Sequence, residues 1–378
     1  MSRWGLLSAA SPKKIGRTLR TRGVLGTAQH GARRLGALAG SAVVGPELIQ
    51  INPLTYICNH ACPMCWLQHA DPTELRTMQR REKSAGLTLR DYVALFDGML
   101  SGLREVMLIG GGEPLAHPDC AGIMREVKAR GWRGTLISNG SLLREEIAQA
   151  LVEMRWDSTR VSVHAGDAET YRAVQGVDRF DVVRANLRAF DRARRAAGAE
   201  KACQLIVYQV LQPANVRRID RLLEFAEEVG ADAVVFELVV AYDAAMRIDP
   251  DDLSRIADAL HSCARAARIP CTLPPVASFV GTAALAKTAV PAVLPAEPAS
   301  FVPGKRCAVG FDQTFITSFG DVRPCCFSDE HMGNVREQSF REIWYGPRYC
   351  DFRRRLIAGS FARYCIDNRC TLASVLPY

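Results

Sequence analysis

The chain has 378 residues, of which 48% are hydrophobic and 23% charged, a composition typical of a globular protein with one large domain and a smaller one. Its apolar runs fall short of the ~18 residues that a membrane-spanning helix needs, so we expect no transmembrane segment. The 13 cysteines cluster around residue 60 and toward the C-terminal end, which favours metal sites over a disulfide scaffold and predicts a reducing, cytoplasmic location.

A basic extension covers residues 1–47. It contains eight Lys and Arg residues and one acid, so most of the net charge of +8 lies in this segment and the rest of the chain is nearly neutral. Such a segment can make weak contact with an anionic membrane surface. The alternatives are a helix that wraps the rest of the protein or a loose tail. Because aromatic residues are not interleaved with the basic ones, we expect no nucleic-acid binding.

From residue 48 to 269, short β-branched runs alternate with longer amphipathic stretches, which is typical of βα units around a parallel sheet. Two clear helices are predicted at Leu89–Leu100 and Asp220–Val229. The six predicted strands are Leu48–Ile57, Glu105–Ile109, Thr135–Ser138, Thr159–His164, Cys203–Leu211 and Ala233–Val239. Because chemistry in parallel α/β barrels gathers at the C-terminal ends of the strands, the sequence predicts an α/β domain with its active site at that edge.

The C-terminal third changes in composition. A helix at Asp251–Ala267 completes the α/β domain, and residues 270–303 are then rich in Pro and Ala, which predicts a connector with limited regular structure. A compact cysteine-rich unit follows. The predicted segments are therefore 1–47, 48–269, 270–303 and 304–378.

Three cysteines, Cys58, Cys62 and Cys65, lie within eight residues after an apolar run. Three thiolates at this spacing can hold three irons of a [4Fe-4S] cluster and leave the fourth iron open. The alternative is structural zinc, but zinc takes four ligands and this segment has no close fourth cysteine or suitably spaced histidine. We therefore predict a [4Fe-4S] cluster with one open iron.

A glycine-rich turn, Gly110-Gly111-Gly112-Glu113-Pro114, follows the second predicted strand. Together with the cysteine triplet, this turn resembles the motifs of the radical S-adenosylmethionine (radical SAM) superfamily, and the resemblance covers residues 48–372. It implies a partial (β/α)6 TIM-like barrel in which the open iron binds S-adenosylmethionine (SAM). One electron then cleaves SAM to a 5′-deoxyadenosyl radical.

The resemblance also implies which residues surround the two ends of SAM. Gly111, Gly112 and Glu113 would line the methionine end, with the Glu113 carboxylate receiving the ammonium group. Met64 stands where many relatives carry an aromatic residue near the adenine. Its thioether would pack against the purine, or Trp66 would take that place.

Two further predicted strand ends resemble SAM-contacting positions of the superfamily. Ser138 and Asn139 end the third strand, and Ser162 and His164 lie at the end of the fourth. Ser138 and Ser162 would hydrogen-bond the methionyl carboxylate or the ribose. His164 either contacts SAM or the substrate directly or is a satisfied histidine behind the site. Where many relatives have Ile-Arg-Gly, this chain has Val174-Gln175-Gly176. The candidate catalytic residues are Glu113, Ser162 and His164.

The cysteine-rich C-terminal unit resembles the SPASM/twitch extension of radical SAM enzymes. It lacks the middle cysteine block of a full SPASM unit, which implies the shorter twitch form with one auxiliary [4Fe-4S] cluster. Cys326 or Cys350 could replace one implied ligand, and structural zinc is the alternative occupant. The implied cluster ligands are Cys307, Cys325, Cys365 and Cys370.

These features predict a radical SAM oxidoreductase that abstracts hydrogen from an unreactive C–H bond, reduced by a partner such as flavodoxin or ferredoxin. We predict a small polyol-like substrate: a sugar, an aminocyclitol or a lipid-linked glycan. The reasons are that residues 1–47 are too short for the peptide-recognition domain of many peptide maturases, and that one auxiliary cluster favours the dehydrogenase branch. The alternatives are a peptide-modifying maturase, a radical epimerase and, more distantly, a non-catalytic iron–sulfur electron carrier.

Oxidation is favoured over epimerisation because neither Cys203 nor Cys271 is placed to return a hydrogen atom to a substrate radical. The auxiliary cluster would instead accept an electron, giving a two-electron oxidation. Candidate substrate contacts at the last strand ends are Gln209, Glu237, Tyr242 and Asp243, which could equally close the barrel.

Overall fold

The computed structural model describes residues 25–29, 31–33, 42, 44–239, 246, 248–274, 309–326 and 328–358. They form two compact units. The larger unit comprises residues 51–89 and the described part of 106–294. The smaller comprises the described residues up to 50, residues 90–105 and the described residues after 295. The domain boundaries expected from the sequence, at residues 47, 269 and 303, stay predictions.

A parallel sheet is the frame of the larger unit. Its strands follow one another in the order β2-β3-β4-β5-β6-β7, and the pairs from β3 to β7 are all parallel. The strands are β2 (Glu105–Leu108), β3 (Arg133–Ser138), β4 (Ser158–Ser162), β5 (Gln204–Leu211), β6 (Ala233–Leu238) and β7 (Cys271–Thr272). The predicted α/β class with a parallel sheet is confirmed, whereas closure into a barrel stays a prediction.

Helices separate these strands along the chain. They are α1 (Pro72–Ala85), α3 (Cys120–Ala129), α4 (Glu145–Glu153), α5 (Ala168–Gln175), α6 (Phe180–Ala196), α7 (Ile219–Glu228) and α8 (Pro250–Ala266), with α2 (Leu89–Asp97) beginning at the edge of the unit. In α6 the buried apolar residues recur three and four positions apart, so one stripe faces the core. The side chain of Asp167 caps α5 by accepting from the backbone N–H of Thr170.

The first strand, β1 (Leu48–Ile51), is shorter than the predicted run Leu48–Ile57. Pro53 has no N–H to donate to a neighbouring strand. The N–H groups of Thr55 and Tyr56 donate instead to the carboxylate of Glu82 on α1, at 2.6 and 3.0 Å. The chain therefore leaves the sheet early and becomes the loop that carries the cysteine triplet.

A short seventh strand falls inside the predicted connector. β7 pairs in parallel with β6, with Cys271 opposite Val234 and Thr272 opposite Val235. The connector of limited regular structure over residues 270–303 stays a prediction, because residues 275–303 lie outside the described residues. Two residues are too few for an alternating pattern, so the pairing depends on the neighbouring strand and gives no local signal.

The smaller unit contains an antiparallel meander and two helices. Strands β8 (Gln313–Ile316), β9 (Asp321–Arg323) and β10 (Gly333–Asn334) pair in sequence, and helices α9 (Phe340–Tyr345) and α10 (Pro347–Ile357) follow. A capping box between Ser339 and Glu342 starts α9. The guanidinium of Arg353 lies over the rings of Trp344 and Tyr349, 4.5 and 4.8 Å from their centroids.

The described part of the basic extension includes one buried cation. Arg33 is 5% exposed and donates to the carbonyl oxygens of Gly45 and Gly102, at 3.0 and 2.7 Å, and to the Glu47 carboxylate at 3.3 Å. This arginine supports the smaller unit and is not available to lipid. The other seven Lys and Arg residues of the extension lie outside the described residues. Within the described ranges, no helix combines the length and apolarity needed to cross a membrane.

Candidate active site

The cysteine loop lies at the C-terminal edge of the sheet. The Sγ of Cys58 accepts from the backbone N–H of His60 at 3.4 Å and from the side-chain amide of Asn139 at 3.9 Å. Burial raises the pKa of the Cys58 thiol to about 11, and burial together with the charges of Cys65 and Cys58 raises that of Cys62 to about 12. Three thiolates this close therefore need a cationic partner, which the irons of a cluster provide.

No three His, Cys, Asp or Glu side chains in the described ranges converge at the distances of a single metal ion. The donor set of the loop is nevertheless the soft, all-thiolate kind that iron–sulfur clusters use. The Asn139 amide, directed at Cys58, is the type of donor that tunes cluster sulfurs. On the chemistry of these groups, the loop fits a [4Fe-4S] cluster.

The glycine-rich turn packs directly against the cysteine loop. The N–H of Gly112 donates to the carbonyl of Leu54 at 3.0 Å, and the N–H of Glu113 donates to that of Ile57 at 2.9 Å. A Cβ atom on Gly112 would overlap the carbonyl oxygen of Ile57. Because that neighbour is backbone, a side chain at position 112 could enter only by moving one segment away from the other.

A second glycine clamps the opposite side of the loop. Gly176 ends α5 with φ of 68°, and a Cβ atom there would overlap the carbonyl oxygen of Ala61. The N–H of Ala61 donates to the carbonyl of Gln175 at 3.3 Å. His60 Nε2 and the hydroxyl of Tyr171 are 2.8 Å apart. The cysteine loop is thus fixed between the glycine-rich turn and the end of α5.

Glu113 is a buried junction between two strand ends. Its carboxylate is 2% exposed and accepts from the N–H of Leu115 at 3.0 Å, from the hydroxyl of Ser138 at 2.7 Å and from the N–H of Asn139 at 2.8 Å. Burial raises the pKa of Glu113, and these three hydrogen bonds oppose that rise. The structure therefore gives this side chain a positioning role that the sequence does not reveal. A direct contact with the SAM ammonium stays a prediction.

His164 and Ser162 differ in what they can reach. His164 is 4% exposed; its Nδ1 accepts from the N–H of Val210 at 3.0 Å, and burial lowers its pKa to about 4. A neutral ring that ties β4 to β5 favours the alternative of a satisfied histidine. Ser162, the last residue of β4, is half-buried. Contacts of Ser162 and His164 with SAM or substrate stay predictions.

The remaining predicted SAM residues lie around the same loop. Asn139 donates to the side-chain oxygen of Asn59 at 2.8 Å, which fixes its amide beside the cysteines. The N–H of Gly111 donates to the side chain of Asn52 at 3.1 Å. Met64 is half-buried, and its sulfur accepts from the side-chain amide of Gln212 at 3.7 Å. The structure brings Met64, Gly111, Gly112, Ser138 and Asn139 to one edge of the sheet.

Two supporting residues were missed by sequence reasoning. Gln175 occupies the position where many relatives have arginine; its amide accepts from the N–H of His164 at 3.1 Å and donates to the carbonyl of Ser162 at 3.2 Å. Glu82 is 3% exposed on a helix that otherwise presents charged residues to solvent. The departure from the motif at Gln175 was a usable signal, whereas nothing local marks Glu82.

Of the four implied auxiliary ligands, Cys325 lies among the described residues. Cys325 follows β9 in the smaller unit, and its carbonyl accepts from the N–H of Ser328 at 3.2 Å. Cys326 is exposed, and the Cys350 thiol donates to the carbonyl of Tyr345 at 3.5 Å. Cys307, Cys365 and Cys370 lie outside the described residues. The auxiliary ligand set therefore stays a prediction.

The structure describes two of the four predicted substrate contacts. Gln209 faces the helices, because its side-chain amide donates to the carbonyl of Leu222 in α7 at 2.6 Å. It cannot line the inner side of the sheet, so this expectation was wrong. Glu237, on β6, lies on the face of the sheet opposite to the face on which Gln209 lies. Tyr242 and Asp243 lie outside the described residues.

Comparisons with known proteins agree with the motifs. Residues 52–208 match the family model of the radical SAM superfamily, and residues 307–371 match that of an iron–sulfur cluster-binding domain, SPASM. The chain is 28% identical over 309 residues to an AdoMet-dependent heme synthase from Methanosarcina barkeri (strain Fusaro / DSM 804), covering 79% of this chain and 82% of that protein. It is 29% identical over 321 residues to a PqqA peptide cyclase from Streptomyces rochei, covering 82% and 79%.

Among solved structures, the fold is similar to Streptococcus suis SuiB. The TM-score is 0.61 at 17% identity, and the match covers 90% of this chain and 78% of SuiB. SuiB has also been crystallised with S-adenosylmethionine and with its precursor peptide SuiA. At this level of identity the similarity concerns the fold alone.

Proposed function

Because the chain belongs to the radical SAM superfamily and carries a SPASM-type domain at its C-terminal end, we propose that it is an oxidoreductase that modifies a peptide substrate. When bound, the [4Fe-4S] cluster and SAM supply one-electron cleavage of SAM and hydrogen-atom abstraction. A reductant such as flavodoxin or ferredoxin delivers the electron. The auxiliary cluster is assigned the role of electron acceptor.

The observation that carries the proposal is the clamped cysteine loop. Gly112 on one side and Gly176 on the other leave no room for a Cβ atom against the backbone of the loop. Glu113 in the glycine-rich turn and Gln175 at the end of α5 then connect these two segments to three strand ends through buried hydrogen bonds. Such preorganisation holds reacting groups in place and excludes water, which radical chemistry requires of the protein.

A peptide substrate is supported better than a polyol. The relative from Streptomyces rochei is a peptide cyclase and aligns over about four-fifths of both chains. The SuiB fold accommodates a precursor peptide. The polyol-like substrate expected from the short N-terminal segment finds no support in the relatives named above. A short N-terminal segment does not oppose a peptide substrate, because the substrate-binding surface does not have to reside in an N-terminal domain.

Oxidation is favoured over epimerisation by the position of Cys203. It is fully buried, and its thiol donates to the carbonyl of Leu151 at 3.6 Å. It precedes β5, at the end of the sheet remote from the cysteine loop. A hydrogen atom cannot be returned to a substrate radical from there.

A second candidate is heme synthesis, which the relative from Methanosarcina barkeri favours. The two candidates separate in one assay. The reconstituted, reduced enzyme is incubated with SAM and a peptide library, and peptides are analysed by mass spectrometry. The proposal expects 5′-deoxyadenosine together with peptides that have lost two hydrogen atoms. SAM cleavage with an unchanged peptide pool, and with heme formed from a porphyrin precursor, would refute peptide modification.

A matched control removes only the three predicted cluster ligands of the cysteine loop. The triple variant Cys58→Ala, Cys62→Ala, Cys65→Ala should give neither 5′-deoxyadenosine nor altered peptides. In deuterated water, a peptide of unchanged oxidation level that has gained one deuterium at carbon would indicate an epimerase and refute the oxidation.

A further inference from the structure

The larger sheet has one face against the helices and a second face, here called the inner face. A Cβ atom on Gly140 would meet side chains of Val161 on β4 and of Val183 and Leu187 on α6, so Val161 lies on the helix side. Successive side chains in a strand point to opposite faces. Arg160 and Ser162 therefore belong to the inner face.

The register extends the inner face across the next two strands. Arg160 pairs with Ile206 and Ser162 with Tyr208, so the half-buried side chain of Tyr208 is also on the inner face. Val210 pairs with Glu237, which places Glu237 there too. The inner face of β4, β5 and β6 thus presents a cation, a phenol and a carboxylic acid in one diagonal.

Arg160 sits among apolar neighbours. In the register it lies between Ile137 on β3 and Ile206 on β5. Its guanidinium carbon is 5.9 Å from the centroid of the Tyr208 ring, within the range of a cation–π contact. This contact attracts the guanidinium to the ring and leaves its outer N–H groups for another partner.

The residues that the structure describes supply no such partner. Within the described ranges, Arg160 Nε is buried without a hydrogen-bond acceptor, and no carboxylate forms an ion pair with this side chain. Burial raises the pKa of Glu237, and the charge of Arg160 opposes that rise. The two side chains therefore interact electrostatically but do not form an ion pair. A guanidinium left unpaired in a partly buried, apolar row is costly unless an anion completes it.

We propose that Arg160 binds a carboxylate of the substrate on the inner face, so that the substrate is an acidic peptide whose Asp or Glu side chain reaches this position. This inference rests on the proposed peptide-modifying function. Tyr208 draws the guanidinium toward β5, and the planar guanidinium can make a paired contact with the carboxylate. Arg160 lies between β3 and β5 in the register, two residues before Ser162, and its guanidinium is directed toward Tyr208 on β5. The proposed partner is a second anion, distinct from the SAM carboxylate.

The test measures which peptides the holoenzyme retains. Enzyme reconstituted with clusters and loaded with SAM is immobilised anaerobically and exposed to N-acetylated, C-amidated pentapeptides. The probes are identical except for a central Glu or Asp in one half of the pool and the isosteric Gln or Asn in the other. Because charge-assisted hydrogen bonds discriminate strongly, wild-type enzyme should retain the acidic peptides about tenfold more than their amides.

Three variants make the test specific. Arg160→Gln should abolish the acid preference, and Arg160→Lys should keep part of it. Arg133→Gln, which removes one positive charge at the exposed start of β3, should behave as wild type. Iron content and the circular dichroism spectrum should be the same in all of them, which shows that the variants are folded.

The outcomes distinguish a failure of the proposed role of Arg160 from a failure of the proposed function. Equal retention of acids and amides by wild type, or an acid preference that survives Arg160→Gln, would overturn the role of Arg160. Weaker SAM binding by Arg160→Gln in calorimetry would assign the arginine to SAM and overturn it as well. Wild-type enzyme that fails to cleave SAM would refute the proposed function instead.

Discussion

Replacing Glu113 with alanine should destabilise the larger unit and weaken SAM binding. The variant removes one acceptor from three buried donors: the N–H groups of Leu115 and Asn139 and the hydroxyl of Ser138, at 2.7 to 3.0 Å. A hydrogen bond to a charged acceptor contributes ~1.5–3 kcal/mol, and the three are not additive because they share one carboxylate. We expect a loss of ~3–5 kcal/mol, the range for breaking a buried charged network.

Urea unfolding of the apoprotein measures this loss. Glu113→Gln keeps the shape of the side chain but sets an amide N–H₂ against at least one donor, so its loss should be smaller and still measurable. Glu224→Ala is the matched control, because Glu224 forms an exposed ion pair with Arg221 and should cost no more than ~1 kcal/mol. Calorimetry on reconstituted protein should show SAM affinity lowered about tenfold or more in Glu113→Ala.

One result would refute this reasoning. If Glu113→Ala unfolds at the wild-type urea midpoint, the buried carboxylate does not hold the two strand ends together. Normal stability with weaker SAM binding would instead mean that Glu113 contacts SAM directly and has no positioning role.

The remaining predictions concern the cluster, His164 and Gly112. Reconstituted wild-type protein should contain about eight irons, and the triple variant of Cys58, Cys62 and Cys65 about four. The folded-state pKa of His164 is lowered from 6.5 to about 4, so the unfolded chain binds this proton first as the pH falls. The stability it contributes is present above pH ~6.5 and is lost as the pH drops toward 4, by ~3 kcal/mol; urea midpoints of wild type and His164→Gln should therefore converge in acid. Gly112→Ala should lower iron retention and SAM binding, because its Cβ atom overlaps loop backbone.

Each of these predictions has a result that contradicts it. Complete iron loss in the triple variant would oppose two separate cluster sites. A constant difference between wild type and His164→Gln from pH 7 to 4 would mean that folding does not shift the pKa of the histidine. Gly98→Ala, where the added Cβ meets only ordinary contacts at 3.5 and 3.6 Å, is the control for Gly112. If Gly112→Ala and Gly98→Ala retain iron and bind SAM equally well, the close contact of Gly112 does not fix the cysteine loop.

The sequence predicted the frame of the larger unit well because its signals are local. Alternation of short β-branched runs with amphipathic stretches located six strands to within a few residues at most of their ends. The exception, Leu48–Ile57, was misjudged because a tertiary contact with Glu82 takes two backbone donors away from the sheet. β7 escaped detection because its pairing depends only on β6.

The candidate site was predictable as a set of motifs but not as a network. Cysteine spacing and the glycine-rich turn identify the cluster loop, yet the burial of Glu113 and His164 depends on which strands become neighbours. Arg160 stands in an ordinary strand pattern, and its lack of an acceptor is visible only when the register with β5 is known. Similarly, the helix-facing position of Gln209 follows from its contact with α7.

The most direct test of the account is SAM cleavage by the anaerobically reconstituted protein. The protein is reduced with dithionite and mixed with SAM, and 5′-deoxyadenosine is quantified by chromatography. The account predicts 5′-deoxyadenosine from wild type and none from the triple variant of Cys58, Cys62 and Cys65. Wild-type protein that carries its iron and binds SAM, yet yields no 5′-deoxyadenosine, would contradict the assignment and favour a non-catalytic iron–sulfur protein.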